Sequence, residues 1–230
     1  MSYLTPIEFE ALNLSLKVAI TSVLFSLPFA VIAAWLLARR DFPGHLLFDA
    51  IIHVPLVIPP VVVGYILLLL FGAQGPIGQA LNDVFGIRVI FTWKGAAIAS
   101  SVMAFPLMVR SIRLSFSSLD KGLEEAAATL GAAPLRVFYS VTLPMIMPGL
   151  IVGCFLGFAR SLGEFGATIT FVSNIPGETR TLPLALYTHI QTPGADTPAI
   201  RLVIISILIA LGALFASELL SRRVNRRIRG

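Results

Sequence analysis

Five stretches of the sequence are long and apolar enough to cross a lipid bilayer as helices. A spanning helix needs about 20 mostly apolar residues, and it satisfies its backbone polar groups internally because lipid cannot. The chain is 57% hydrophobic and only 13% charged, which is far from the composition of a soluble domain. The candidate spans are residues 12–38, 47–71, 96–116, 137–162 and 199–220. The sequence therefore predicts an all-α, polytopic membrane protein with a single transmembrane domain, residues 1–230, whose core is about 12–220.

The positions of the basic residues predict how the spans are oriented. Lys and Arg are enriched in cytoplasmic loops. If the five spans alternate, eleven of the 17 Lys and Arg residues fall on one side: after the first span, around the third connection, and in the tail 221–230. We expect that side to be the cytoplasm, with the N-terminus outside. No basic residue precedes Lys17, so we expect the first span to be retained and not removed as a signal peptide.

The segment 117–136, between the third and fourth spans, is amphipathic. Asp120 is suited to cap a helix, and Glu124 and Glu125 follow early, where the helix dipole favours negative charge. One helical face is apolar, formed by Leu123, Ala126, Ala127 and Leu130. The pattern predicts a short surface helix that docks on something, although a plain hairpin between two spans is the simpler alternative.

A sharp corner is predicted directly after this helix. Gly131 can adopt the left-handed conformation that ends many helices, and Pro134 is well placed to open the next one. The segment should therefore form a short helix, a sharp turn and a second helix.

Prolines in the second candidate span predict a bent helix. Pro55, Pro59 and Pro60 remove backbone hydrogen bonds that lipid cannot replace, so this span should be kinked and buried against protein. The kink is either purely structural or the hinge of a helix that lines a translocation path, with Pro59 and Pro60 as candidate path residues. His53 in the same span is expected to be a satisfied polar residue near the membrane boundary, and a proton relay is the alternative.

The fourth span carries a stripe of small residues at every fourth position, Gly149, Gly153, Gly157 and Ser161. Such a stripe lets another helix approach closely. The neighbour could belong to the same chain or to a second copy. Pro144 and Pro148 are expected near the start of this helix, where proline is tolerated.

Two opposite charges and an aromatic residue follow at the end of the fourth span. Arg160 and Glu164 are one turn apart and can pair if the helix continues, and Phe165 comes next. The pair could be structural, or it could be part of a gate whose pairing changes as a pore opens. Residues 165–191 could re-enter the membrane, which would make six spans. The connections 72–94 and 163–198 are expected to form an outward surface for a soluble partner.

Motifs for enzyme chemistry are missing from the sequence. There is no Gly-x-x-x-x-Gly-Lys-Ser/Thr phosphate loop, no His-Glu-x-x-His or Cys-x-x-Cys pattern and no Gly-x-Ser-x-Gly elbow. We expect a transport subunit and not an enzyme, with no metal and no cofactor in this chain. Any work done with ATP would be done by a separate subunit.

The amphipathic segment resembles the EAA motif of the membrane subunits of binding-protein-dependent ABC importers. Glu125-Ala126-Ala127, Gly131 and Val141-Thr142-Leu143-Pro144 match its spacing, with Val141 in place of the usual Ile. The resemblance implies a type I ABC importer permease fold. It also implies that residues 117–136 form a cytoplasmic coupling helix that seats on a separate ATPase, with Glu124, Glu125, Ala126, Ala127, Gly131 and Pro134 as coupling residues.

A second resemblance points to the oxyanion branch of this family. Leu162-Gly163-Glu164-Phe165-Gly166-Ala167 is similar to a signature of sulfate and molybdate permeases, and the stretch from Phe171 to Thr179 looks most like molybdate permeases. Sulfate permeases typically have a longer N-terminal extension. The resemblance implies transport of molybdate, with tungstate or sulfate as alternatives.

The resemblance also implies an assembly in a bacterial inner membrane. Its expected components are a homodimer of this chain, two ATP-binding cassette subunits that bind ATP and Mg, and a periplasmic oxyanion-binding protein. Nucleic acid is not an expected partner, and the basic residues serve topology instead. The rival from another class is an ATP-independent channel or proton-coupled carrier that uses His53, Arg160 and Glu164.

Overall fold

The computed structural model describes residues 5–229, which form helices joined by loops, with no β-strand in that range. The helices in chain order are α1 Pro6–Arg39, α2 His45–Val57, α3 Pro60–Phe71, α4 Pro76–Phe85, α5 Trp93–Ser117, α6 Lys121–Thr129, α7 Pro134–Val137, a π-helical segment Phe138–Thr142, α8 Leu143–Leu162, α9 Gly166–Val172, α10 Leu182–Ile190 and α11 Asp196–Arg229. The predicted tail 221–230 continues α11, and Gly230 lies outside the described residues. The all-α prediction is confirmed.

Four continuous helical stretches are long and apolar enough to cross a membrane: Pro6–Arg39, Trp93–Ser117, Pro134–Leu162 and Asp196–Val224. A fifth crossing exists if α2 and α3 together count as one span. The described residues thus fit the predicted five spans.

The second span is broken and not merely kinked, which corrects the expectation of one bent helix. The α2 and α3 axes meet at 113°. Pro59 and Pro60 cannot donate backbone hydrogen bonds, and Ile58 before them takes an extended conformation with φ −78° and ψ 149°. The chain therefore leaves the helix at Val57 and starts a new one at Pro60.

Helix α5 forms the centre of the molecule. Of the residues in its most apolar stretch, 67% are buried, whereas only 6% are buried in the corresponding stretch of α11. Its small residues let α1 pack on one side and α8 on the other. Ser22 Oγ of α1 donates to the Ala97 carbonyl of α5 at 2.9 Å, which ties the two helices together inside the apolar core.

The glycine stripe of α8 packs within the chain. A Cβ on Gly149 would lie 1.9 Å from Ser115 Oγ, and one on Gly157 would lie 2.8 Å from Met108 Cγ, both on α5. Gly153 likewise faces Ile112 and the Met108 carbonyl. Of the two partners left open by the sequence, the same chain is therefore the neighbour of this face.

Pro144 lies at the start of a helix, as expected, because it is the second residue of α8, and Pro148 follows one turn inside that helix. The helical path itself begins ten residues earlier, at Pro134, and the chain passes through the π-helical segment just before Pro144. Pro144 cannot donate a bond to Ser140 four residues back, and its ring crowds that carbonyl. The Leu143 amide donates to the Phe138 carbonyl instead, an i to i+5 bond that widens the turn.

The two connections that were predicted to form an outward surface differ in their exposure. The connection 72–94 contains α4, whose residues are largely exposed. In 163–198, by contrast, α9 is a core element: Ala167, Phe171 and Val172 are completely buried against α3 and α5. Helix α10 is anchored to α1 through the Leu182 amide, which donates to Ser15 Oγ at 2.6 Å.

Candidate functional site

The predicted surface helix is present as α6, with both of its predicted end signals. Asp120 takes the N-cap position, and its Oδ1 accepts from the Gly122 amide at 2.9 Å. At the other end, Gly131 has φ +84°. Its amide donates to the Ala128 carbonyl at 3.0 Å, and the Ala132 amide donates to Ala127 at 3.2 Å. These two bonds form a Schellman cap, which only a left-handed residue permits without strain.

The corner leads directly into the fourth span. Pro134 is the first residue of α7, where its missing amide hydrogen costs nothing. From Pro134 the helical path continues through the π-helical segment into α8. A displacement of α6 therefore has a short covalent route to a membrane-spanning helix.

The outer side of α6 is exposed and apolar. Leu123 is 45% exposed and Leu130 88% exposed, and Glu125 and Ala126 are exposed beside them. Ala127 is half-buried. Two exposed leucines on one short helix form an apolar surface that is available for contact with another molecule.

Glu124 differs from the other predicted coupling residues because its carboxylate faces the membrane domain. Thr142 Oγ1 donates to Glu124 Oε1 at 2.6 Å, and Arg39 Nη2 of α1 lies 3.2 Å from Oε2. Sequence reasoning missed Arg39 and Thr142 as partners of this helix. The sequence contains no local signal for either contact, since the partners are far apart along the chain.

The two helix breaks of the membrane domain meet each other. A Cβ on Gly166, at the start of α9, would lie 2.8 Å from Pro60 Cβ at the start of α3. One turn further on, a Cβ on Gly64 would lie 2.6 Å from the Ala167 carbonyl. The predicted path residues Pro59 and Pro60 therefore lie beside the segment that carries Glu164.

Arg160 and Glu164 form an ion pair although the helix ends between them at Leu162. Glu164 is 2% exposed, and its Oε1 accepts from the Ala167 amide at 2.8 Å while Oε2 pairs with Arg160 Nη1. The carboxylate thus caps α9 and neutralises the guanidinium at the same time. A turn, and not the predicted continuous helix, brings the charges together.

The Glu164 carboxylate of this ion pair is buried among the helices. Phe165, in the break itself, has its ring centroid 5.1 Å from that of Tyr187, with the two rings tilted against each other. A buried charged pair between apolar helices is costly and indicates either a firm structural tie or a functional element.

His53 belongs to a paired polar cluster on α2 and α5. Its Nδ1 is hydrogen-bonded to the Asp49 backbone carbonyl at 2.9 Å and lies 3.1 Å from Asp49 Oδ1, and Arg113 Nη1 donates to Asp49 Oδ2 at 3.0 Å. Both partners of Asp49 thus come from the same chain. The satisfied-residue interpretation of His53 fits this geometry better than a free proton relay.

Among the described side chains, no group of three or more His, Cys, Asp or Glu could hold a metal ion.

Several known proteins are similar to this chain in sequence or in structure. Residues 18–226 match the family described as binding-protein-dependent transport system inner membrane component. The molybdenum transport system permease protein ModB of Escherichia coli strain K12 is 60% identical over 97% of this chain and 98% of that protein. The sulfate transport system permease protein CysT of Salmonella typhimurium is 38% identical, covering 96% of this chain and 79% of that protein.

A solved structure shows the same fold at low sequence identity. A bacterial alginate ABC transporter in complex with an alginate pentasaccharide-bound periplasmic protein superposes with a TM-score of 0.74 at 19% identity, over 96% of this chain and 80% of that one. Together with the match over residues 18–226 and the apolar spans, these similarities establish that the chain belongs to the binding-protein-dependent ABC importer family as a membrane permease subunit.

Proposed function

We propose that this chain is the membrane subunit of an ATP-driven molybdate importer. The observation that carries the choice of substrate is the 60% identity to the Escherichia coli molybdenum permease over nearly the whole of both chains, against 38% to the sulfate permease. Tungstate and sulfate are the alternative substrates, and tungstate is the closer of the two because it has the size and charge of molybdate.

The exposed face of α6 is the proposed docking surface for a separate ATPase subunit. Leu123, Ala126 and Leu130 offer the apolar area, and Glu125 and Ala127 border it. ATP and Mg are bound by that partner. Gly131 and Pro134 set the direction in which a push on this face enters the fourth span.

The proposed assembly contains two copies of this chain, two ATPase subunits and a periplasmic oxyanion-binding protein in a bacterial inner membrane. Helix α11 is almost unburied within one chain and exposes Leu208, Leu214 and Phe215, which suits contact with lipid or with the second copy. The structural relative was solved with its periplasmic protein. The ion pair between Arg39 and Glu124 puts the end of α1 beside the coupling helix, in keeping with a cytoplasmic α6 and an external N-terminus.

The junction of the two helix breaks is the proposed gate region. Pro60 and Gly166 are in close contact there, and the proposed gate residues Pro59, Pro60, Arg160, Glu164 and Phe165 lie on the segments that carry the two breaks. Each break would allow a rigid half-helix to turn without unfolding its neighbour. The glycine face of α8 holds the rest of that helix on α5, so motion would concentrate at the junction. ATP would bind the closed ATPase pair more tightly than the open pair, so ATP binding would close the pair. This closure would shift the spans between inward-open and outward-open states.

Transport by the purified complex tests this function. The chain, its co-expressed ATPase and its binding protein are reconstituted in proteoliposomes, and uptake of radiolabelled molybdate is followed with ATP or ADP. We expect molybdate uptake with ATP but not with ADP. Excess tungstate should compete with this uptake, and excess sulfate should compete little. Stronger competition by sulfate than by tungstate would make it a sulfate permease, and equal uptake with ADP would make it a channel or carrier.

Cysteine labelling tests the orientation. In a Cys154→Ser background, Leu130→Cys should react with an impermeant thiol reagent only when the cytoplasmic face is accessible, because Leu130 lies on the α6 surface. Val84→Cys, on the exposed α4 of the predicted outer connection, is the matched control and should react from the opposite side. Labelling of both from the same side would overturn the topology.

A further inference from the structure

A three-residue polar link joins the coupling helix to two different spans. The Glu124 carboxylate accepts a hydrogen bond from Thr142 with one oxygen and pairs with Arg39 through the other. Thr142 is the last residue of the π-helical segment, and Arg39 is the last residue of α1. We propose that this link, Arg39–Glu124–Thr142, is the positioning device that transmits displacement of α6 to α1 and to the start of α8.

Helix α6 has little other attachment to α1. A cavity of about 550 Å³ lies between them, bounded on the α1 side by Val31 and Trp35 and on the other side by Ala128 and Phe138. The elements that pack most closely against α6 are α7 and the π-helical segment, both on its own side of that cavity. Of the α6 side chains that the structure describes, Glu124 is the one that forms polar contacts with other elements. Glu124 therefore gives α6 a direct polar connection to α1 across this cavity.

The burial of the link makes its charges interdependent. The Arg39 side chain is 10% exposed and that of Glu124 27% exposed. An arginine this buried needs a counter-charge, and removal of one partner of such a pair is more costly than the pair itself is stabilising. Arg39 will therefore follow Glu124 when α6 moves, as long as the pair persists.

The end of the link on Thr142 falls where the fourth span is easiest to deform. Pro144 prevents regular α-helical bonding at Ser140, and the turn is already opened to i to i+5 bonding. Single π-helical turns of this kind occur often at functional sites. A pull on Thr142 can change the pitch of this turn without breaking the glycine-packed part of α8 beyond it.

The link has this role only if the chain works with a separate ATPase, as proposed above. Its test uses the reconstituted complex and compares Thr142→Val and Glu124→Gln with wild type. Thr142→Val keeps the shape and removes the hydroxyl donor, whereas Glu124→Gln keeps an acceptor and removes the charge. Arg40→Gln is the matched control, because Arg40 is adjacent to Arg39 but lies over the Trp35 ring and does not contact Glu124.

Three quantities are measured: co-purification of the ATPase, ATP hydrolysis and molybdate imported per ATP. We expect co-purification and hydrolysis to persist in both link variants, because the outer face of α6 is untouched. Import per ATP should fall on the order of tenfold, since a charge-assisted hydrogen bond to a partly buried group is worth about that factor. Arg40→Gln should import at the wild-type ratio.

Charge reversal separates transmission from simple folding damage. Arg39→Glu and Glu124→Arg should each lower import per ATP, and the double variant should recover part of it because the pair is restored with opposite polarity. The variants could instead give a lower yield of inserted protein while the molybdate imported per ATP stays unchanged. That result would make the link a purely structural contact and would overturn the proposal. Absence of ATP-dependent import in the wild-type complex would instead overturn the proposed function itself.

Discussion

Replacing Gly131 by valine should uncouple the transporter through backbone strain alone. At φ +84° the residue is left-handed, and a Cβ added there would meet no atom within 4 Å. The cost is therefore conformational and not steric contact with neighbours. A left-handed L-residue costs about 1–2 kcal/mol, and a β-branched one is a genuine outlier there. A free-energy cost in this range lowers the population of the native backbone conformation at residue 131 by about 5- to 30-fold relative to other conformations.

The corner matters because it fixes the direction of α6 relative to the fourth span. If residue 131 moves to negative φ, the bonds from the amides of residues 131 and 132 to Ala128 and Ala127 are both lost. The exposed leucines of α6 would then point away from their partner. We expect membrane insertion to be normal, ATP hydrolysis to continue and molybdate import to fall by a factor within the same 5- to 30-fold range.

Two other glycines provide matched controls. Gly86 with φ +65° and Gly194 with φ +79° are also left-handed and also open on all sides, but both lie in connections predicted to be outside. Valine at either position imposes the same kind of strain, so the three variants should show similar losses of thermal stability. Import should fall only for Gly131→Val. Wild-type import by Gly131→Val, or an equal loss in all three variants, would refute the reasoning.

Further variants test the packing of the core and the buried ion pair. Gly149→Ala should destabilise the protein by about 1–3 kcal/mol, because its Cβ would lie 1.9 Å from Ser115 Oγ; Gly212→Ala, with no atom within 4 Å, should be neutral or stabilising in the same thermal-shift assay. Equal melting temperatures for these two variants would contradict the close approach of α8 and α5. Glu164→Ala should lower the free energy of unfolding by about 2–3 kcal/mol, because the α9 cap is lost and Arg160 keeps no counter-charge. An unchanged unfolding curve together with a loss of import would instead assign the pair to a gate.

Helix α6 could be predicted from the sequence because every signal for it is local. Asp120 caps a helix whose first turn follows directly, Gly131 closes it five residues after Ala126, and Pro134 opens the next helix. Each of these effects depends on backbone geometry within about one turn. The same locality explains why the break at Pro59 and Pro60 was anticipated as a kink, although not its angle of 113°.

Contacts between distant residues could not be predicted in this way. The inward orientation of Glu124 depends on Arg39, which lies in another span and which the sequence suggested only as a topology charge. The π-helical turn before Pro144 was not predicted, because an apolar pattern indicates a helix but not which carbonyl each amide bonds. The burial of α9 was not predicted, because a seven-residue apolar segment is too short to be recognised as a span and could equally lie on the surface.

The sequence by itself determined that this chain is a helical membrane protein, where its spans lie and where the short surface helix α6 begins and ends. These properties follow from hydrophobicity summed over a span and from the short-range stereochemistry of caps, glycine and proline. Only the tertiary structure decided that the glycine face of α8 belongs to α5, that the two helix breaks meet, and that Glu124 joins α6 to α1. Such pairings depend on which surfaces fit and which charges neutralise each other across the fold, and a one-dimensional pattern carries no information on either.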